Sequence, residues 1–186
     1  MSPLTLMGVQ FTFSLVLVGL VAKWYVVPAL NTRPAPAALA PLFLVHGLRY
    51  LPSSAFAPGQ VGPTVPMDAM KTIAYGDLAS AGLAIVAAVF LYYRWRGAIG
   101  VAWIVNIVTS LDWVYASYLA ASNELVTYPM GGNWYIINYY VPLIGVVHVM
   151  IFARLLRERT RSVEPSTPRQ REGTRGPNKT QATPNR

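Results

Sequence analysis

The sequence has no cysteine, which excludes disulfides, thiolate chemistry and thiolate-bound metals. Charge is scarce as well: only 12% of residues are Asp, Glu, Lys or Arg, about half the share of a soluble protein. Just two histidines are present, and they lack the close spacing of recognised metal sites, so no metal is expected. No nucleophile or phosphate-cradling signature is found. What fills the space is apolar, at 54% of 186 residues. Five apolar stretches approach the roughly 20 residues that a membrane helix needs.

These stretches predict an all-α, five-transmembrane-helix bundle over residues 1–156. The spans lie at about 4–28, 37–55, 72–93, 98–120 and 134–155. Residues 157–186 are predicted to be a disordered basic tail, because Arg, Pro, Ser, Thr and Gln dominate there and nothing remains to bury. The net charge of +8 sits mainly in that tail: Arg154 to Arg186 carry nine Lys/Arg against three Glu. Such a distribution suits contact with anionic lipid rather than a groove for nucleic acid. Residues Met1 to Gln10 carry no basic side chain, and the apolar run that begins near Leu4 is longer than a signal core, so the first stretch is expected to stay as a span.

Basic residues also set the threading. Lys23 and Arg33 flank the first connection, Arg94 and Arg96 the third, and the tail follows the fifth span. The positive-inside rule then predicts an outside N-terminus and a cytoplasmic C-terminus in a plasma membrane. The segment from Ser53 to Met70 is read as a loop, since Pro58, Gly59, Gly62, Pro63 and Pro66 break helices.

Charge inside apolar helices is costly and points to function by default. At about 1.5 Å per residue, His46, Arg49, Asp77 and Asp112 are expected within roughly 5 to 14 Å of one end of the bundle. Tyr50, Tyr75, Asn138, Tyr139 and Tyr140 fall in the same half. Gly76, Ser80 and Ala84 form a small-xxx-small row that allows close helix approach. Pro142 cannot donate to the Asn138 carbonyl, so a bend is expected there. Asn106 and His148 make a second polar site nearer the other end.

The elements His46-x-x-Arg49, Tyr75-Gly76-Asp77, Asp112, and Tyr140-Val141-Pro142 with His148 resemble those of a family of small bacterial integral membrane proteins. The resemblance implies a bacterial inner membrane and no particular activity.

Four functions compete. The first is a ligand-binding or proton-coupled transport site, with Arg49 holding an anionic group and an Asp–His pair moving a proton. The second is a non-catalytic accessory subunit, in a homo-oligomer or larger complex, whose buried ion pairs are structural. The third is a membrane enzyme acting on a lipid or isoprenoid, with Trp113, Tyr139 and Tyr140 lining its pocket. The fourth is haem or quinone binding by His46 and His148, which their expected difference in depth disfavours.

Overall fold

The computed structural model describes residues 1–163, with side chains described through Thr160. Among these residues the secondary structure is all helical. Four helices are long and apolar enough to cross a membrane: Pro3–Asn31, Met67–Tyr92, Ala98–Ser122 and Asn133–Thr160. They are called here the first, third, fourth and fifth helices. The second helix is the α-helix Ala35–His46, which continues without a break as a ten-residue 3-10 helix, Gly47–Phe56.

The second helix is the most enclosed. Ala35, Ala38, Leu39, Leu42, Phe43 and His46 are buried at α-helical spacing. Beyond Gly47 the buried positions become Arg49 and Ala55, in step with His46 at a period of three. That is the repeat of a 3-10 helix, in which side chains three apart eclipse one another. The second helix packs against the third and fifth, and the fourth packs against the same two. Leu39, Phe43, Ala84, Leu91, Ile151 and Leu155 form the centre of the core. The first helix lies against the fifth, with only Ser14 and Ala22 buried.

Contacts identify the two ends. At one, Gly62 N–H donates to the Pro129 carbonyl at 2.8 Å, joining the loop after the second helix to the loop before the fifth. At the other, Arg154 donates to the Arg33 carbonyl at 2.6 Å and Arg157 to Asn31 Oδ1 at 2.6 Å. The second helix therefore connects opposite ends of the fifth. Its twelve α and ten 3-10 residues give about 38 Å of rise.

Several boundaries differ from expectation. The segment 53–70 is not all loop: the 3-10 helix runs to Phe56, and the third helix begins at Met67. Asp68 and Lys71 make its first turn polar, so an apolar run starts later than the helix does. The fifth helix extends to Val163, past the expected start of the tail at 157. The rest of the expected disordered tail, 164–186, lies outside the described residues. Two π-helical turns, Ala22–Val26 and Ile136–Tyr140, immediately precede Val27-Pro28 and Val141-Pro142. Widening the turn absorbs the hydrogen bond that each proline cannot make.

Candidate functional site

Arg49 is the largest fully buried side chain, 1% exposed. The 3-10 geometry aims it between the third and fourth helices, where all three guanidinium nitrogens find acceptors. Nε donates to Asp77 Oδ1 at 2.8 Å, and Nη1 to the Thr109 carbonyl at 2.7 Å. Nη2 lies 2.6 Å from both Asp77 Oδ1 and Asp112 Oδ2. Asp112 Oδ2 also accepts from Ser80 Oγ at 2.8 Å. One cation thus faces two carboxylates. Every guanidinium nitrogen of Arg49 is engaged by the protein.

Close approach of the helices makes this possible. A Cβ at Gly76 would overlap Asp112 Oδ1, so only glycine leaves room for that carboxylate against the third helix. Ser80, one turn on, supplies the hydroxyl. Two members of the small-residue row therefore seat a charge as well as a helix. Their spacing was legible, but nothing in it signalled the carboxylate.

Rise per residue places Arg49, Asp77 and Asp112 about 14–15 Å from Phe56, Met67 and Ser122, the ends of their helices on the Gly62–Pro129 side of the bundle. A second layer lies deeper. His46 is about 20 Å down, because a 3-10 helix advances about 2.0 Å per residue, and His148 is about 22 Å down. A uniform rise of about 1.5 Å per residue keeps His148 apart from His46; the structure brings the two rings into contact, with centroids 4.2 Å apart. That contact corrects the argument from depth against a shared haem. The rings touch each other directly, which leaves no gap between them for a macrocycle. His148 Nδ1 lies 2.9 Å from Ser110 Oγ and 3.0 Å from Asn106 Oδ1. Both nitrogens of His46, Nε2 of His148 and Nε1 of Trp113 are buried without a protein partner. Neither histidine contacts an aspartate, so the expected Asp–His pair does not form.

The other expected residues divide. Tyr140 donates to the Val45 carbonyl at 3.2 Å, and Asn138 Nδ2 to the Trp134 carbonyl at 2.8 Å. Tyr50, Tyr75 and Tyr139 are 48%, 61% and 49% exposed and stand outside the cluster. Tyr75 packs on Phe56 and Tyr139 stacks on Tyr135. Helical position alone put them at the right level but on the wrong face.

A cavity of about 720 Å³ occupies the N-terminal end of the bundle. Leu4, Met7 and Phe11 of the first helix wall it on one side, Ala116 and Ala120 of the fourth and Ile137 of the fifth on others. Arg49, Asp77, Trp113, Glu124, Asn133 and Tyr140 are among its polar groups. The Asp77 side chain, part of this lining, is 12% accessible; Asp112, 22% accessible, stands outside the lining. The Ala55, Val65, Met70, Leu125 and Met130 cluster packs the loops across this end. Among the described residues no group of three or more His, Asp or Glu is placed to hold a metal ion.

Residues 6–156 match the family model described as a domain of unknown function, DUF8737. The chain belongs to that family. No curated protein and no solved structure is similar to it.

Proposed function

We propose that this DUF8737 member is a five-crossing protein of a bacterial inner membrane, with its N-terminus outside and its C-terminus in the cytoplasm. Its cavity takes a small, largely apolar ligand that bears a positive charge or hydrogen-bond donor. The end-to-end course of the second helix supports the fifth crossing, since about 38 Å of rise exceeds the roughly 30 Å of hydrocarbon. Lys23, Arg33, Arg94, Arg96, Arg154 and Arg157 along the C-terminal end support the orientation.

The observation that carries the ligand reading is the cavity floor. Apolar walls around a few convergent polar groups, with a volume in the usual range of about 300–1,000 Å³, are what small-molecule sites have. Arg49 neutralises one carboxylate and leaves one in surplus. Asp77, which lines the cavity, keeps lone pairs that can accept hydrogen bonds from the ligand. A ligand cation would balance the second acid, and the same acid would take a proton when the ligand leaves. That exchange supplies a route to proton-coupled transport.

Thermal unfolding in detergent with 2-phenylethylamine or phenylacetate tests the reading, because the two probes share a ring and differ in the sign of the head group. The amine should raise the midpoint and phenylacetate should not; Asp77→Asn should remove the amine's effect. A shift with phenylacetate alone would overturn the cation preference.

One observation favours a second reading, an accessory subunit with a structural ion network: every guanidinium nitrogen of Arg49 is engaged by protein. If Asp77→Asn folds and neither probe nor pH shifts either form, that reading replaces the first.

A further inference from the structure

A second, smaller cavity of about 190 Å³ lies between the first and fifth helices at the C-terminal end. Leu42 of the second helix is among its lining residues, Leu30, Val149 and Met150 add apolar walls, and Arg154 and Arg157 bring charge. Arg154 is only 7% exposed, yet among the described residues no carboxylate forms an ion pair with it. Its one protein acceptor is the Arg33 carbonyl, and its Nε is buried without a partner. Arg157, one helical turn on, donates to Asn31 Oδ1, also without an ion pair among the described residues. Both arginines are held by a carbonyl or amide oxygen, and among the described residues no ion pair compensates their charge.

A buried guanidinium held by neutral acceptors alone is expensive in a low-dielectric setting and calls for an anion. The chain beyond Val163 is itself basic, with five Lys/Arg against two Glu. We infer that this groove binds one anionic phospholipid, its phosphate on Arg154 and Arg157 and one acyl chain along the surface that Val149 and Leu30 present. The cavity equals the liquid volume of about six waters, at about 30 Å³ each. That is room for a phosphate and a few methylenes, so the rest of the chain lies outside, where Val149 is 67% exposed. Basic pockets between helices at a cytoplasmic face are suited to such head groups. The site is separate from the larger cavity and does not depend on what that cavity binds.

The test uses the full chain in detergent, titrated with phosphatidylglycerol, phosphatidylcholine of matched chains, or inorganic phosphate, and read by thermal unfolding and by native mass spectrometry. Phosphatidylglycerol should raise the unfolding midpoint and give one retained lipid, while phosphatidylcholine should do neither. Arg157→Gln, at an exposed position, should fold normally and weaken the lipid's apparent affinity about tenfold. Arg154→Gln should abolish the retained lipid. If Arg154→Gln does not fold, the Arg157 variant alone decides. Equal effects of the two lipids, or phosphatidylglycerol retention unchanged in Arg157→Gln, would overturn the inference. Stabilisation by inorganic phosphate equal to that by phosphatidylglycerol would assign the groove to a soluble anion and sink the lipid.

Discussion

At the scale of the residue, Arg49 shows how a charge is kept in an apolar bundle. Two carboxylates and a backbone carbonyl surround the guanidinium, so each partner is the other's solvent. Such a network contributes little against a well-packed apolar replacement, but losing one member strands the rest. Arg49→Met should therefore destabilise the protein by about 3–5 kcal/mol, because both aspartates lose their cation. The triple variant Arg49→Met, Asp77→Asn, Asp112→Asn should recover most of that loss, since no unpaired charge remains. Thermal and chemical unfolding followed by circular dichroism in detergent reads both. A triple variant no better than the single would show that packing, rather than charge compensation, makes Arg49 necessary. The sequence marked these residues legibly, because any charge between apolar runs stands out. It could not show which ring or carboxylate each would meet. Tyr50, Tyr75 and Tyr139 illustrate the limit: in lipid an outward-facing tyrosine is as acceptable as an inward one, so composition does not reveal the face.

At the scale of the element, the decisive feature is the change from α-helix to 3-10 helix after His46. It turns His46, Arg49 and Ala55 into one row and lowers His46 to the level of His148. Nothing in the apolar pattern distinguishes the two helix types, and an assumed rise of about 1.5 Å per residue set the histidine layers apart. Helix ends were blurred for a related reason: Asp68 and Lys71 belong to a helix but not to an apolar run. Glycine spacing was easier to read than its purpose. Gly76 and Gly82 lie on the same helix, and only Gly76 has the Asp112 carboxylate where a Cβ would go; around Gly82 that space is open. Gly76→Ala should cost about 1–3 kcal/mol, as overpacking does, and push Asp112 away from Arg49. Gly82→Ala should be neutral or stabilising by up to about 1 kcal/mol, since alanine is the better helix former. Side-by-side unfolding midpoints decide. Equal destabilisation by the two would mean that the third helix resists any added methyl group, and the seat for Asp112 would lose its special standing.

At the scale of the whole molecule, the two ends of the bundle differ in kind. The N-terminal end holds the large cavity and the surplus carboxylate; the C-terminal end holds arginines without an ion pair among the described residues and the first basic turn. This polarity requires the second helix to run from one end to the other, since Arg33 meets Arg154 while Gly62 meets Pro129. If that helix crosses the bilayer, Thr32 and Gln60 must lie on opposite sides of it; if it enters and returns, they must lie on the same side. The absence of native cysteine makes the comparison clean. Single variants Ser2→Cys, Thr32→Cys, Gln60→Cys and Thr183→Cys, treated in intact cells with a membrane-impermeant maleimide, should divide into two pairs. Ser2 and Gln60 should label from outside, and Thr32 and Thr183 only after permeabilisation. Labelling of Thr32 and Gln60 from one side would reduce the crossings to four and move the arginine-lined groove away from the anionic head groups that its charge demands.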